Sequence, residues 1–126
     1  MTRRAVFICP GRGTYNAPEL GYLKQHSPRF DAELNGFDTQ RAALGQSAIT
    51  TLDAAEKFDA NVYTRGDNAS GLIYASAYCD GSSLADDIEV VAVTGNSMGW
   101  YIAMALAGAV SDQDGFRPVN TMGNLM

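Results

Sequence analysis

The chain has 126 residues, 46% of them hydrophobic and 18% charged, which predicts one globular domain and excludes an intrinsically disordered chain. Nine basic against 14 acidic residues give a net charge of −5, which argues against nucleic acid as a partner because phosphate backbones require clustered cations. Two cysteines outside any Cys-x-x-Cys pair, one histidine and no long apolar run predict a reduced, cytoplasmic protein without a disulfide framework, metal site or membrane segment.

The N-terminal part of the chain predicts one strand and a first helix. Ala5–Cys9 is a β-rich apolar run that the turn residues Pro10–Gly13 end at once, as they would end a buried strand. Residues 18–26 predict a short helix. Ser27 followed by Pro28 predicts the start of the next helix, because serine is a favoured N-cap and proline fits the first helical position.

The middle of the chain predicts further helices separated by polar turns. Apolar residues at helical spacing support the helix that starts at Ser27, and helical stretches follow at 39–44 and Ala48–Phe58. Thr64–Asn68 has strong turn chemistry and predicts a loop. Gly71–Cys79 is apolar and contains small residues, which is typical of a buried helix packed closely on a sheet.

The C-terminal part contains the clearest strand. Ile88–Thr94 is β-branched and nearly continuously apolar, as central strands of parallel sheets are. Trp100–Val110 then predicts a buried helix, Ser111–Gly115 a loop and Phe116–Met126 a last helix. Strands that alternate with helices predict an α/β fold, a parallel sheet with flanking helices. Because two strands cannot form a stable sheet alone, we expect the chain to be an incomplete unit.

A G-x-S-x-G sequence, Gly95–Gly99, lies between the second strand and the following helix. A nucleophile elbow has this arrangement, with its serine on a strained turn and the hydroxyl exposed. Ser97 is therefore the candidate nucleophile, and the amide of Met98 would face negative charge on a substrate oxygen. The alternative is a glycine-rich turn in which Ser97 is only an N-cap.

The loop Pro10–Thr14 follows the other strand directly. Glycines on both sides of Arg12 let its backbone approach a ligand. Loops that follow parallel strands share one edge of the sheet, so we expect this loop to meet the Ser97 turn. It is not a Walker A loop, because the Gly-Lys-Ser/Thr ending is absent. The alternative is a tight surface turn.

Three segments carry a resemblance to a known family. PGRGTY at Pro10–Tyr15 is similar to an opening P-G-Q-G-S-Q motif. GNSMGWYIAMALAGAVS at Gly95–Ser111 is similar to G-H-S-L-G-E-Y with its alanine-rich helix, and MGNLM at Met122–Met126 to R-G-x-(L/F)-M. In these motifs, their order and their spacing, the chain resembles the malonyl-CoA:acyl carrier protein transacylases and the acyltransferase domains of fatty-acid and polyketide synthases.

The resemblance implies an α/β-hydrolase-like large subdomain, of which residues 1–126 would be the N-terminal portion, without the family's ferredoxin-like subdomain and C-terminal part. It implies a serine that takes an acyl group from coenzyme A and passes it to the phosphopantetheine thiol of an acyl carrier protein. Ser97 matches the nucleophile, and the amides of Met98 and Arg12 match the oxyanion hole. Acyl-CoA is then a substrate, and no cofactor or metal is implied.

Departures from the family pattern affect the residues that would bind substrate. Met122 stands where the family has an arginine that pairs with the malonyl carboxylate, and a thioether cannot form that ion pair, so an uncharged acyl group is favoured. Asn96 replaces a histidine. Trp100 replaces a glutamate and would line the acyl channel, or else pack against the fold. Asn68 falls at a family glutamine, with an ordinary turn asparagine as the alternative.

The family's catalytic histidine lies far downstream and has no counterpart in this chain. His26 matches no catalytic position, and Asp112 and Asp114 lie beyond the far end of the helix after Ser97. We therefore expect residues 1–126 alone to be catalytically poor, and a missing C-terminal portion to be a candidate second chain. Two alternatives stay open: a patatin-like or other α/β serine hydrolase or thioesterase, and a non-catalytic fragment that docks a carrier protein.

Overall fold

The computed structural model describes residues 2–126, which form two strands, six α-helices and two 3-10 helices. The strands are β1, Arg3–Cys9, and β2, Ile88–Gly95. The α-helices are α1 Asp31–Ala43, α2 Ile49–Asp53, α3 Ala60–Tyr63, α4 Gly66–Gly81, α5 Gly99–Leu106 and α6 Asp112–Leu125, and the 3-10 helices Ala17–Glu19 and Tyr22–His26 precede α1. No helix among residues 2–126 is long and apolar enough to cross a membrane.

The two strands form a parallel sheet, which confirms the predicted α/β fold class. Arg3 lies opposite Ile88 and Cys9 opposite Gly95, so both strands end at the same edge of the sheet. Helix α5 packs against both strands. The expectation of strands buried on both faces is wrong, because Val6 and Ile8 in β1 are exposed, Ile8 to 81%.

The core lies between the helices and is centred on three fully buried aromatic residues. The ring of Phe37 stacks on that of Phe116 with centroids 4.5 Å apart. It also meets the ring of Tyr74 edge-on at 5.7 Å. Aromatic pairs in these geometries add stability beyond their buried area. These contacts join α1, α4 and α6, and therefore fix the position of α6.

A buried arginine joins the same helices by hydrogen bonds. The Arg41 guanidinium donates to the Oδ1 atoms of Asn68 (2.7 Å) and Asn120 (2.9 Å), and to the carbonyl oxygens of Ser47 (2.6 Å) and Asp67 (2.7 Å). Burial lowers the pKa of Arg41. All four hydrogen-bond acceptors are uncharged amide oxygens, and the carboxylates of Asp67 and Asp38 act on the buried charge without a hydrogen bond to it.

The start of α1 differs from the sequence prediction. Ser27 is not an N-cap, because its amide bonds to the carbonyl of Lys24 and so closes the second 3-10 helix; α1 begins at Asp31. The helix predicted over 18–26 is two 3-10 helices, separated at Gly21, whose φ of +88° is not helical. The stretch 39–44 is the end of α1 rather than a separate helix.

Two predicted loops, Thr64–Asn68 and Ser111–Gly115, are wrong because α4 and α6 begin inside them. The Ser111 hydroxyl caps α6 by accepting a 3.0 Å hydrogen bond from the amide of Asp114. Serine, aspartate and asparagine are typical of turns and equally typical of helix N-termini, so their presence does not separate the two. The predicted last helix is the continuation of α6.

Two predicted helices are shorter than expected. The helix predicted over Ala48–Phe58 ends at Asp53, whose buried carboxylate accepts hydrogen bonds from the Tyr15 hydroxyl (2.6 Å) and the Leu23 amide (3.1 Å). These hydrogen bonds hold the end of α2 against the N-terminal segment. The helix predicted over Trp100–Val110 is α5, which ends at Leu106 and is buried along one side rather than all round.

Candidate active site

Ser97 lies on a sharp turn between β2 and α5. Its φ of 55° is in the left-handed region, where an L-residue costs roughly 1–2 kcal/mol. Ser97 is exposed, whereas the next two residues, Met98 and Gly99, are buried. Met98 is the N-cap of α5, and no side chain caps that helix, so the alternative of Ser97 as a plain N-cap is wrong. The turn has the geometry of a nucleophile elbow.

The two glycines of the motif are steric requirements of this turn. A Cβ atom on Gly95 would overlap the backbone of Gly99. A Cβ atom on Gly99 would overlap the carbonyl oxygen of Cys9 at the end of β1. The ends of β1 and β2 and the start of α5 therefore pack with their backbones in direct contact, which only glycine allows.

The Pro10–Thr14 loop lies beside the Ser97 turn, as the parallel order of the strands predicts. The amide of Asn96 donates a 3.2 Å hydrogen bond to the carbonyl of Cys9. A Cβ atom on Gly11 would lie 3.0 Å from the carbonyl oxygen of Asn96. The loop therefore approaches the turn closely, and the sequence expectation that the two would meet is confirmed.

A cavity of about 340 Å³ opens at Ser97. The Pro10–Thr14 loop and helices α4, α5 and α6 contribute its walls. Four of the residues indicated by the sequence line it: Arg12, Ser97, Met98 and Met122. Five further lining residues were not indicated: Ser70, Tyr101, Val119, Gly123 and Met126.

Proximity to the indicated residues is the signal that could have identified three of these missed residues. Tyr101 lies in the first turn of α5, directly after the Ser97 turn. Val119 lies three residues before Met122 on the same face of α6, and Met126 is the C-cap of that helix. Because that face is mostly apolar, the cavity is too.

Two backbone amides at the cavity are available to a ligand. Within residues 2–126, the N–H groups of Met98 and Arg12 donate to no backbone or side-chain acceptor. Met98 lies at the N-terminus of α5, where the helix dipole favours negative charge. Unpaired N–H groups beside a nucleophile can stabilise the oxyanion that forms when it attacks a carbonyl.

The cavity lining contains one charged side chain, Arg12, and neither a carboxylate nor an imidazole among the described residues. An Nη atom of Arg12 lies 3.5 Å from the carbonyl of Thr64. His26 does not line the cavity; its Nε2 atom lies 3.1 Å from Asp80 Oδ1. Asp112 begins α6, at the end opposite Met122. The described part of the chain therefore places no proton acceptor beside Ser97.

Three sequence-indicated residues are not brought to the cavity. Asn68 is buried, and both polar atoms of its side-chain amide form hydrogen bonds. Its Oδ1 atom accepts a hydrogen bond from Arg41, and its Nδ2 atom donates a 2.9 Å hydrogen bond to the Val62 carbonyl. It is a helix residue, not the turn asparagine of the alternative interpretation. Trp100 is 53% exposed and is not among the residues that line the cavity. Asn96 is exposed on the turn itself.

No family model and no curated protein sequence matches the chain, whereas solved structures do. The acyl-carrier-protein S-malonyltransferase from Burkholderia pseudomallei is 23% identical with a TM-score of 0.73, over 100% of this chain and 39% of that chain. The acyltransferase domain of the polyketide synthase PpsC of Mycobacterium tuberculosis is 23% identical with a TM-score of 0.73, and the match covers 99% of this chain and 37% of that chain. The acyl-carrier-protein S-malonyltransferase from Bartonella henselae is 24% identical with a TM-score of 0.65, and the match covers 98% of this chain and 38% of that chain.

The chain thus spans less than two fifths of each of these solved chains. Because these sequence identities are below 25%, the structural similarity establishes the fold alone. The resemblance predicted from the three motifs is confirmed at that level, and the chain has the fold of part of an acyl-carrier-protein acyltransferase domain.

Proposed function

We propose that the chain supplies the nucleophile and the oxyanion hole of a serine acyltransferase. This enzyme would move an acyl group from coenzyme A to the phosphopantetheine thiol of an acyl carrier protein. The observation that carries the proposal is the exposed Ser97, held at φ 55° beside the unpaired amides of Met98 and Arg12. The names of two structural neighbours, both acyl-carrier-protein S-malonyltransferases, support acyl transfer to a carrier protein as the reaction class.

In the first step of the proposed reaction, Ser97 Oγ attacks the carbonyl carbon of the acyl-CoA thioester. The carbon–sulfur bond then breaks, and coenzyme A leaves as its thiol after it receives the proton of the serine hydroxyl. In the second step the phosphopantetheine thiol attacks the acyl-serine ester, the bond between the acyl carbon and Ser97 Oγ breaks, and Oγ receives the proton that the thiol gives up. In both steps the amides of Met98 and Arg12 would hold the oxyanion, at a typical benefit of about 3 kcal/mol per donor.

The hydroxyl proton needs an acceptor, and none lines the cavity among residues 2–126. We infer that the acceptor comes from a polypeptide segment other than these residues, which makes a second chain a candidate partner. Without that partner, acylation of Ser97 should be slow.

The acyl group of the proposed substrate is uncharged. Met98, Val119 and Met122 give the cavity an apolar wall, and a thioether cannot form the bidentate ion pair that an arginine forms with a carboxylate. A malonyl group that reached Met122 would place its carboxylate beside a thioether, where an unpaired charge is strongly unfavourable, and Arg12 would be the one charged side chain of the described lining able to pair with it.

The proposal is tested by intact-protein mass spectrometry after incubation with acetyl-, butyryl- or malonyl-CoA, followed by addition of a phosphopantetheinylated carrier protein. We expect acylation by the uncharged donors, none in Ser97→Ala, and passage of the acyl group to the carrier protein. Preferential malonylation would contradict the assigned substrate class.

The same experiment separates the two other interpretations. Release of the acyl group to water in preference to the carrier protein would identify a hydrolase or thioesterase. The lack of a proton acceptor at the cavity favours, as a second candidate, a non-catalytic module that docks a carrier protein. Carrier binding by a folded chain that no donor acylates, even after prolonged incubation, would establish that candidate and overturn the acyltransferase.

A further inference from the structure

Strand β1 has one edge without a partner. Among residues 2–126, β2 is the only strand that pairs with β1. At the end of this pairing the Cys9 carbonyl accepts a hydrogen bond from the Asn96 amide, so the main-chain groups of Cys9 face β2. Because these groups alternate in direction along a strand, those of Val6 and Ile8 point to the opposite edge. A row of unpaired N–H and C=O groups is where a further strand pairs with a sheet.

We propose that a second copy of this chain pairs with this edge, so that the two β1 strands run antiparallel about a twofold axis. Centred on Val6, this pairing places Val6 opposite its own copy and Arg4 opposite Ile8, with about six main-chain hydrogen bonds. Val6 is 52% exposed and Ile8 81%. The pairing brings these apolar side chains of both copies together on one face of the enlarged sheet, and their removal from water favours the dimer.

The edge of β1 is better suited to such pairing than the outer edge of β2. The register between the strands shifts after Ala5: Ala5 lies opposite Val90 and Val6 opposite Ala92, so Val91 is an extra residue in β2. A bulge interrupts the regular row of main-chain groups in the strand that carries it, and bulges protect sheet edges from further pairing. The strand β1 has no extra residue, and its edge is regular.

A cavity of about 330 Å³ beside β1 can receive a basic side chain of the second copy. Its described lining includes Phe7, Ile8 and Cys9, whose side chains point to alternate faces, and includes no residue of β2. The cavity therefore lies along the free edge. Its opposite wall belongs to α4 and includes Asp80, whose carboxylate accepts a 2.7 Å hydrogen bond from the Tyr22 hydroxyl and is half exposed.

The antiparallel register brings Arg3 of the second copy to this cavity. Arg3 then lies opposite Cys9, with its side chain on the same face as that of Phe7. The aliphatic part of Arg3 can lie along the apolar lining while its guanidinium reaches Asp80. Within one copy Arg3 pairs with Asp87 at 2.7 Å, but both side chains are exposed, so the loss of that pair costs little. The twofold axis gives two Arg3–Asp80 contacts in each dimer.

Analytical ultracentrifugation of the whole chain, from micromolar to millimolar concentration, tests the proposal. We expect a monomer–dimer equilibrium in the wild type. Val6→Lys places two like charges opposite each other at the twofold axis and should raise the dissociation constant about tenfold or more. Val91→Lys is the matched control, because Val91 is a similarly exposed valine, at 48%, on the strand that does not form the interface. It should leave the dissociation constant unchanged.

An exchange of charges tests the register. Arg3→Asp and Asp80→Arg should each raise the dissociation constant about tenfold, because each brings like charges together at both contacts of the dimer. An equimolar mixture of the two variants should form a heterodimer about as tight as the wild-type dimer, since opposite charges then meet at both contacts. Circular dichroism shows whether each variant keeps the fold.

A wild-type chain that stays monomeric at millimolar concentration would overturn the proposal. So would a dimer that persists in folded Val6→Lys, one that dissociates in folded Val91→Lys, or charge variants that do not associate when mixed. None of the exchanged residues lines the Ser97 cavity, so these results do not depend on the proposed function.

Discussion

The backbone amide of Asn96 donates a 3.2 Å hydrogen bond to the carbonyl oxygen of Cys9, so the turn after β2 is joined to the end of β1. This bond brings the two post-strand loops to one edge of the sheet. As a result the exposed Ser97 hydroxyl and the free amides of Met98 and Arg12 lie at one cavity. The proposed nucleophile, Ser97, and one of the two proposed oxyanion-hole amides, that of Arg12, thus come from segments that are more than 80 residues apart in sequence.

The left-handed conformation of Ser97 gives a stability prediction. Glycine adopts φ 55° without the Cβ clash that other residues have. We expect Ser97→Gly to raise the free energy of unfolding by about 1 kcal/mol relative to Ser97→Ala, as measured by urea denaturation. Both variants lack the hydroxyl and should lose acylation equally. Equal stability of the two variants would show that the turn is not held in this conformation.

The close approach of Gly99 to Cys9 gives a second prediction. Gly99→Ala would place a Cβ atom on the Cys9 carbonyl oxygen, so strand and helix must move apart. We expect a loss of about 3 kcal/mol in the free energy of unfolding. The neighbouring exposed Trp100 provides the control, since Trp100→Ala should change stability by less than about 1 kcal/mol. Similar losses in the two variants would contradict the backbone contact.

The buried thiol of Cys79 predicts a fall in stability at alkaline pH. Burial raises the pKa of Cys79 from 9.0 to about 12. Between these values the unfolded chain has lost the proton that the folded chain keeps, so the free energy of unfolding falls as pH rises, by up to about 1.4 kcal/mol per pH unit. The contribution of this group is complete below pH 9.0 and is lost above it.

Urea denaturation at pH 8, 9, 10 and 10.5 checks this linkage, at values chosen on either side of the thiol pKa of about 9 in an unfolded chain. Cys79→Ala should lower stability at every pH but flatten the decline above pH 9.0. A decline as steep in the variant as in the wild type would assign the alkaline sensitivity to other groups.

The hydrogen bonds of Arg41 give a prediction about the helices behind the cavity. Arg41→Ala would leave the buried oxygens of Asn68 and Asn120 without a donor, and we expect a loss of about 3 kcal/mol in the free energy of unfolding. Arg41→Lys keeps the charge but not the planar fork, so an intermediate loss is expected. Arg117→Ala, an exposed arginine on α6, should have almost no effect. An Arg41→Ala variant as stable as Arg117→Ala would contradict the network.

The sequence was sufficient for the features that depend on local pattern. A β-branched run followed by a glycine turn determines where β2 and the Ser97 turn lie, because side-chain shape and glycine freedom act over a few residues. The close approach of the Pro10–Thr14 loop to the Ser97 turn could also be predicted, because it depends only on the parallel order of the two strands. The starts of α4 and α6 in polar segments could not be predicted from the sequence, because the same residue types favour helix caps and turns.

The positions of Asn68 and Trp100 could not be predicted for a different reason. Asn68 is drawn into the core by Arg41, a partner 27 residues earlier in the chain. Whether Trp100 or Tyr101 faces the cavity depends on the side of α5 that meets α6. Both outcomes are set by tertiary contacts, which motifs and spacing within one segment do not contain.

The most direct test of the central claim is the location of a covalent label after the folded chain reacts with a short alkyl fluorophosphonate. Digestion and tandem mass spectrometry should find one adduct per chain, on Ser97, and none in Ser97→Ala. An adduct that persists in Ser97→Ala, or an adduct at another residue of the folded wild-type chain, would contradict the assignment of Ser97 as the nucleophile.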